Sequence, residues 1–336
     1  MASANFQTTK NTRVLIGTEV TLGTAAVADC AAVAIPVTDY SFGEIGAGGQ
    51  TLDVAPLRAG IGGQNLSDDM VKAKRHDRMY EVSLTFHCTD LAVKRVTKNL
   101  FEDGAAGGIA SLLGSMPTTS HYKHGVSNVH PVSIIIENAG HAGNATDMVF
   151  FGAMCTNLSF SGSIDGDGGV VMCTATFVTG YLPTATTNLT YTVATAISAQ
   201  QTVFNMHDLT AKTLNSQDLT LYGFELSISR EVNRISFDSS SNFAPSGYSI
   251  GGYDVSGTLT SKRDDLSLAA SVEGHAPVAL DLDTGVYQIL APTCIIDTTS
   301  ISFDEDGWKQ SIPFKCAYTG ATSSTIVSFA GTASDS

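Results

Sequence analysis

The sequence contains one order of structural signals twice, and this repetition limits the folds that the chain can adopt. Apolar and polar residues alternate in MYEVSLTFHC (79–88) and again in GYDVSGTLT (252–260). Both stretches contain the series Tyr, acidic residue, Val, Ser. Because successive side chains of a β-strand point to opposite faces, each stretch predicts a strand with one buried face.

The segments that follow the two strands also correspond. TDLAVKRVTKNLF (89–101) has an Asp in its first turn and apolar residues at helical spacing, and DDLSLAASVEG (264–274) predicts a shorter helix. HPVSIIIEN (130–138) and HAPVALDLD (275–283) come next, and each has alternating apolar residues after a proline. The order strand, helix, strand is therefore predicted in both places.

Each series ends in a predicted hairpin with an acidic glycine turn. The first turn, DGDGG, contains Asp165 and Asp167, and the second, DEDGW, contains Asp304 and Asp306. Short turns of this composition join antiparallel strands. Alternate positions of the strands after the turns are apolar: Val171, Cys173, Ala175 and Phe177 in one, and Ile312, Phe314, Cys316 and Tyr318 in the other. We therefore predict a mainly β chain built by tandem duplication of one module.

The repeat divides the chain into five predicted pieces. They are an N-terminal arm (1–30), module A (31–180), a linker (181–217), module B (218–320) and a C-terminal tail (321–336). Module A alone has a long Gly-rich loop at 44–78 and an insertion at 104–128. Long loops that break the symmetry of a repeat are expected to make contacts.

Composition argues against several classes of function. The formal net charge of −14 disfavours a nucleic-acid-binding surface, because affinity for phosphates depends on clustered Lys and Arg. The sequence shows neither a secretory signal nor a stretch long enough to cross a bilayer, so folding in a cytoplasm without a membrane span is expected. The six cysteines form no C-x-x-C pair, and neither a zinc site nor a disulfide framework is predicted.

Local motifs do not predict catalysis, a metal or a cofactor. DGDGG begins like a calcium loop, but the position that needs a carboxylate in an EF-hand is Thr176. The histidines of HYKH (121–124) have no carboxylate or cysteine at a diagnostic spacing. A nucleophile elbow, an H-E-x-x-H motif and a P-loop are absent, although the residues of a catalytic triad can be scattered along a chain.

One basic run stands out in this acidic sequence. KAKRHDR (72–78) lies at the end of the long loop of module A. It has two interpretations: a solvated face, or a contact with acidic turns on a neighbouring subunit that sets orientation more than affinity.

Taken together, RVLIGTEVTLGTAA (13–26), the repeated order of elements and the two closing hairpins make the sequence similar to one known family. It resembles the tail tube proteins of long-tailed, siphovirus-type bacteriophages, in particular the duplicated kind with two tube modules in one chain. The resemblance implies β-sandwich or barrel modules, each with a flanking α-helix. Three chains are then expected to close a pseudo-hexameric ring, and stacked rings to form the hollow tail tube that conducts the genome.

The resemblance also implies partners and a location. The chain is expected to bind other copies of itself, the tail terminator, the tape measure protein and the baseplate or distal tail proteins. DNA is expected to pass through without specific binding, and no cofactor is expected. The protein is expected in the virion tail, after assembly in the cytoplasm of the host bacterium.

Two sets of residues receive roles from the resemblance. The loop of module A corresponds to the ring-to-ring contact, and its charged residues are Glu44, Arg58, Lys72, Lys74, Arg75 and Arg78. An acidic lumen repels phosphates, and the carboxylates placed near it are Asp39, Glu44, Glu225 and Glu231. Either face of the sheet is compatible with the sequence as the lining of the lumen.

Two other functions remain as alternatives. Another β-rich structural protein, such as a capsid decoration protein or a surface-array subunit, would share the Thr- and Ser-rich strands and the acidic charge. An enzyme on a β-sandwich would need a cleft with paired carboxylates or a triad. The duplicated helix-containing order favours the tube protein.

Overall fold

A computed structural model describes most of the chain. The described residues are 12–19, 22, 31–42, 53–57, 70–74, 79–100, 112–117, 131–138, 147–181, 183–186, 192–195, 202–237, 245–262, 276–297, 301–304, 308–316 and 325–330. These residues form β-strands, one α-helix and two short 3₁₀ helices, at Asp167–Gly169 and Met206–Asp208. The predicted fold class, mainly β, is confirmed.

In the described residues strands follow one another along the chain, and the α-helix lies in the first half. The elements up to residue 186 are β1 (Thr12–Thr18), β2 (Ala31–Ile35), β3 (Val37–Phe42), β4 (Asp53–Leu57), β5 (Met70–Lys74), β6 (Tyr80–His87), α1 (Asp90–Leu100), β7 (Leu112–Pro117), β8 (Val132–Asn138), β9 (Asp147–Ser163), β10 (Met172–Thr179) and β11 (Thr184–Thr186). The later elements are β12 (Thr192–Thr195), β13 (Ala211–Leu214), β14 (Gln217–Asp218), β15 (Leu221–Phe237), β16 (Pro245–Lys262), β17 (Val278–Asp283), β18 (Gln288–Ile296), β19 (Ser302–Phe303), β20 (Lys309–Cys316) and β21 (Thr325–Ala330).

Most of the elements predicted from periodicity are present. Strands β6, β8, β16 and β17 and helix α1 lie in the segments where alternation or helical spacing predicts them. The two predicted hairpins form, since β9 pairs with β10 and β19 pairs with β20. The helix predicted at 264–274 lies outside the described residues.

Strand pairing in the first half has a counterpart in the second. In the first half β1 pairs with β2 and β8, β3 with β6, β6 with β10, β10 with β9, and β9 with β8 and β11, all antiparallel. In the second half β13 pairs with β14 and β17, β15 with β16, β16 with β20, β20 with β18 and β19, and β18 with β17 and β21, again all antiparallel. Every pairing of the first set thus recurs between the corresponding strands of the second. The parallel pairing of β12 with β2 and the pairing of β7 with β21 have no counterpart among the described strands.

Strands also occur in segments that are predicted to lie outside the two modules or to form loops. Strand β1 lies in the predicted arm, β13 in the predicted linker and β21 in the predicted tail. The loop at 44–78 contains the β4–β5 hairpin, and the insertion at 104–128 contains β7, which pairs with β21. The division of the chain into modules stays a prediction.

The two halves share one hydrophobic core. Paired positions on one face of the sheet are buried on strand after strand, as in Leu84, Ala175, Leu158, Ile228 and Val255. Residues of both halves belong to the same buried cluster, and the rings of Phe160 and Phe329 stack with centroids 5.0 Å apart. Burial of this apolar surface is the main stabilising contribution to the fold.

The cysteines behave as small hydrophobes, as the alternation pattern predicts. Cys88, Cys155, Cys173 and Cys294 are buried and Cys316 is half-buried. Burial raises the pKa of the Cys155 thiol to about 12, partly offset by the nearby Arg230 guanidinium. This thiol therefore stays protonated at neutral pH. Cys30 lies outside the described residues.

A buried arginine connects the second half to the helix of the first. Arg230, on β15, is 5% exposed. Its guanidinium donates hydrogen bonds to the carbonyl oxygens of Leu100 (2.6 Å), Asn99 (2.9 Å) and Cys155 (2.7 Å). The last carbonyl groups of a helix lack partners within the helix and carry a partial negative charge. Arg230 therefore caps the C-terminal end of α1 from the neighbouring half.

Replacement of this cap is expected to destabilise the protein. Arg230→Met keeps the length of the side chain but removes its hydrogen bonds to the carbonyl groups of Asn99 and Cys155, while the Leu100 carbonyl keeps the Tyr253 hydroxyl as a donor. We expect the free energy of unfolding to fall by roughly 3 kcal/mol, measured by urea denaturation. Lys315→Met is the control: the Lys315 side chain is 73% exposed in its ion pair with Asp254, so the loss is expected to stay below about 1 kcal/mol. Equal losses for the two variants would contradict the capping role.

Candidate functional site: the sheet edges and the hydroxyl face

One face of the main sheet is polar across both halves of the chain. Paired residues of adjacent strands share a face, so the strand register identifies its members. The face consists of two long rows, Asp39–Thr85–Thr174–Ser159–Ser227–Ser256–Lys315 and Ser41–Ser83–Thr176–Asn157–Ser229–Asp254, and a third, His87–Met172–Ser161–Glu225–Thr258–Pro313. We call this surface the hydroxyl face, because Ser and Thr dominate it.

The hydroxyl face follows from the alternation that forms the core. On β6, Val82, Leu84 and Phe86 are buried, so the residues between them point to the other side. Several hydroxyls bond to neighbours on the sheet: Thr85 Oγ1 lies 3.2 Å from Thr174 Oγ1, and the Ser227 hydroxyl donates to Asn157 Oδ1 at 3.2 Å. Short hydroxyl side chains that bond to one another make a smooth polar surface.

Two of the four carboxylates predicted for the lumen lie on this face. Asp39 and Glu225 are both exposed, and each stands opposite a threonine of the next strand, Thr85 and Thr258 respectively. Lysines on the same side lie near carboxylates: Lys315 Nζ is 3.9 Å from Asp254, and Lys309 Nζ is 3.7 Å from Asp165. The positive charge of these lysines is therefore partly compensated.

The other two predicted carboxylates lie elsewhere. Glu231 is exposed on β15 at a bulge, where it accepts a hydrogen bond from Asn233 Nδ2 (3.0 Å). The pairing of β15 with β9 ends before this point, at Ser229. Glu231 thus belongs to the part of the β15–β16 hairpin that projects past the sheet. Glu44 lies outside the described residues.

The predicted ring-to-ring loop is described only at its hairpin. Lys72 and Lys74 lie on β5, paired with Ala55 and Asp53 of β4. Arg58, Arg75 and Arg78 lie outside the described residues. The contact role of this loop stays a prediction.

The acidic turns occupy the predicted hairpins. Asp165 is exposed in the turn between β9 and β10, and Asp167 begins the 3₁₀ helix of that turn. Asp304 is exposed after β19, and its backbone N–H donates to the Lys309 carbonyl at 2.9 Å. Asp306 lies outside the described residues.

The two halves are joined edge to edge by β9 and β15. Their antiparallel pairing runs without a break from Ser163 opposite Gly223 to Asn157 opposite Ser229, and it places Ser161 opposite Glu225. We call this pairing the joint. Apolar residues at the joint, such as Leu226 and Ile228, are buried.

The corresponding outer edges differ from the joint in their exposure. In the described residues, β3 pairs only with β6, and β19 pairs only with β20. Phe42 on β3 is 42% exposed and Phe303 on β19 is 49% exposed. Large apolar side chains on open strand edges mark surfaces suited to pairing with another chain.

Other kinds of site find little support in the described part of the chain. No group of three His, Cys, Asp or Glu side chains comes together there as metal ligands would. Within the same ranges, no helix is long and apolar enough to cross a membrane. Two grooves on this side of the sheet, of about 470 and 370 Å³, share Glu225 and Thr258 of the hydroxyl face.

The sequence matches the family described as phage tail tube protein over residues 9–333. The chain belongs to this family. The resemblance inferred from the repeat and the hairpins is thereby confirmed, and the match spans both halves of the fold. A comparison with curated proteins gave no match.

Membership gives the protein its general role. A tail tube protein is a structural component of the virion tail that assembles with its own copies into a tube. The family is structural rather than enzymatic. A capsid decoration protein, a surface-array subunit and an enzyme are accordingly not favoured by this match.

A close approach beneath the hydroxyl face depends on one glycine of the tail tube protein. A Cβ at Gly257 would overlap both the Glu225 carbonyl oxygen and the Phe314 ring, whereas a Cβ at Gly252 of the same strand would meet nothing within 4 Å. Gly257→Ala is therefore expected to lower the free energy of unfolding by about 1–3 kcal/mol, and Gly252→Ala by less than about 0.5 kcal/mol. Thermal and urea unfolding measure the stability of both variants. Similar losses of stability in the two variants would contradict the close packing at Gly257.

Proposed function

We propose that this tail tube protein is a tandem duplication whose chains close into three-chain, pseudo-hexameric rings, with the hydroxyl face lining the channel. The observation that carries the proposal is the joint, in which one half of the chain already binds the other edge to edge. Rings of this kind stack into the tail tube and conduct the genome into the host.

The repeated strand pairing supports duplication. Beyond the order of pairs, irregularities recur: the register of β8 against β9 shifts between Val132 and Ile134, and that of β17 against β18 shifts between Val278 and Leu280. A shared bulge at the same position is difficult to explain by the general tendencies of β-sheets alone. The pairings also suggest that the modules extend further than predicted, since β1 and β13 begin equivalent sets and β11 and β21 end them.

The joint then supplies a template for contacts between chains. Strand β15 occupies in the second half the position of β3 in the first, and β19 takes the place of the end of β9. The open edge of β3 therefore pairs with β19 of the preceding copy. In the joint Glu225 is opposite Ser161, so the same register puts Asp39 opposite Ser302 of that copy. Pairing of both edges closes the ring and leaves no open edge in this layer.

The hydroxyl face is suited to the lumen because it is continuous. It crosses the joint without interruption, so the same contact between chains extends it around the ring. Its carboxylates, including Asp39 and Glu225, repel DNA phosphates, and its short hydroxyls offer no basic cluster to hold them. DNA can therefore slide through without specific binding.

The projecting hairpins are suited to contacts between rings. Strands β15 and β16 pair past the joint as far as Phe237 opposite Pro245, and β4 and β5 form a hairpin at the corresponding place in the first half. In this proposal the polar contacts between rings are made by the charged residues of the loop at 44–78, which are Glu44, Arg58, Lys72, Lys74, Arg75 and Arg78. The tube ends bind the tail terminator and the distal tail proteins, the lumen holds the tape measure, and assembly takes place in the host cytoplasm.

Disulfide trapping tests the contact between chains. Asp39→Cys with Ser302→Cys is expected to give covalently linked dimers and trimers of the chain after oxidation of assembled protein, seen on non-reducing gels. Glu225→Cys with Ser161→Cys is the matched control, because this pair has the same register inside one chain and is expected to stay monomeric. Each single variant measures the background from native cysteines. If electron micrographs show tubes but no disulfide forms between positions 39 and 302, this contact is refuted.

The charge of the lumen has its own test. Asp39→Lys with Glu225→Lys reverses charges on the hydroxyl face, and tubes of this variant are expected to retain short DNA at low salt and to release it as salt rises. The control variant, Gln217→Lys with Asp218→Lys, places cations on the exposed strand β14. Tubes of this variant are expected to retain much less DNA. Equal retention by the two tubes, measured by co-sedimentation of labelled DNA, would argue against the hydroxyl face as the channel lining.

A further inference from the structure

Two cysteines that are distant in sequence meet in the second half of the fold. Cys294 on β18 is directly opposite Cys316 on β20, and their Sγ atoms lie 3.6 Å apart. Their spacing in the sequence does not indicate this contact, because it arises from the antiparallel register of the two strands. The fold therefore brings two thiols into contact that the sequence alone leaves unrelated.

The backbone around these cysteines is compatible with a disulfide bond. The Cα atoms of directly opposite residues in an antiparallel pair are about 4.5 or 5.5 Å apart, depending on the hydrogen-bond pattern. Disulfide bonds join residues whose Cα atoms are about 4.4–6.8 Å apart. Both arrangements of the strands lie in this range, so rotation of the two side chains can bring the sulfur atoms to bonding distance without a shift of the strands.

The two thiols differ in access to solvent. The Cys294 side chain is fully buried, whereas Cys316 is half-buried at the last residue of β20. The hydrogen bond with Cys316, together with burial, raises the pKa of the Cys294 thiol. Since the attacking species in thiol–disulfide exchange is an accessible thiolate, Cys316 is the residue that a small reagent reaches first. Cys294 is then in place to resolve the product.

The cysteines also lie at a special point of the sheet. Strand β18 pairs with β21 at residues 288–290 and with β20 at residues 294–296. The cysteine pair therefore stands where β18 changes its partner. A bond between Cys294 and Cys316 would close a loop of chain that contains β19, and closure of such a loop restricts the unfolded chain.

We infer that Cys294 and Cys316 form a redox-sensitive pair, reduced while the chain folds in a reducing compartment and oxidised to a disulfide that clamps β18 to β20 when the protein meets a small-molecule disulfide such as oxidised glutathione. Reducing compartments keep protein thiols free, and oxidising surroundings let disulfides form and persist. The inference concerns a single chain and does not depend on the proposed ring.

The exchange proceeds in two balanced steps. The Cys316 thiolate attacks one sulfur of the small disulfide, which forms a mixed disulfide and expels a thiolate. Cys294 gives up its proton and attacks Cys316 Sγ, which forms the bond between the strands and expels the second thiolate. The two protein thiols are oxidised, the small disulfide is reduced to two thiols, and the protons of the two cysteines end on those thiols.

Peptide mass mapping of the full chain tests the pair. Protein incubated with oxidised glutathione is denatured, labelled with N-ethylmaleimide and digested without a reductant. We expect a peptide in which Cys294 is linked to Cys316, whereas both residues carry the label in protein kept reduced. Labelling of both residues after oxidation, or glutathione retained on Cys316, would overturn the inference.

Thermal unfolding tests the clamp. The linked protein is expected to melt about 5 °C above the reduced protein. Cys316→Ala is expected to lose this difference. Cys173→Ala is the matched control, because Cys173 is a buried cysteine whose thiol is hydrogen-bonded with that of Cys88, and this variant is expected to keep both the link and the difference.

Two results would overturn the clamp. One is an unchanged melting temperature in wild-type protein that carries the link, and the other is an equal rise in Cys316→Ala. If Cys316→Ala does not fold, the wild-type protein still decides, because the peptide map and the melting temperatures of its two redox forms need no variant.

Discussion

The structure depends on the pairing of β9 with β15. This joint fuses two sets of strands into one continuous network and lets both halves contribute to one core. Backbone hydrogen bonds fix the relative position of the halves, and the alternation of side chains then determines that apolar residues meet on one side and hydroxyls on the other. A shift of one residue at the joint would exchange the two faces, so the buried Leu226 and Ile228 hold the register in place.

A second constraint is that the second half supplies hydrogen-bond partners to the first outside the paired strands. Arg230 reaches from β15 to the end of α1, and residues 202–208, just before the second half, reach the turn of the first, where Asn205 Nδ2 donates to the Gly168 carbonyl. In both cases polar groups that one half leaves without partners are satisfied by the other. Each half therefore completes the hydrogen bonding of the other.

The sequence predicted the elements whose signal is local. Strand β6 and helix α1 were found because their apolar residues repeat with periods of two and of about 3.6, and these periods reflect burial on one side. The hairpin of β13 and β14 was missed because it is short and polar, and its turn uses Asn215 and Ser216 at positive φ without a glycine. The pairing of β7 with β21 and the buried role of Arg230 were also missed, because partners far apart in sequence leave no periodic signal. Of the site residues, Asp39 and Glu225 lie on β3 and β15, and only the strand register showed that they share a continuous hydroxyl face. Their place at the lumen stays a prediction.

A cryo-EM reconstruction of the assembled tube tests the proposed contact between chains most directly. We expect rings of three chains in which β3 pairs with β19 of the adjacent copy in the register of the joint, with Ser159, Thr174 and Ser227 facing the channel. Rings built from six chains, or a hydroxyl face on the outer surface of the tube, would contradict it.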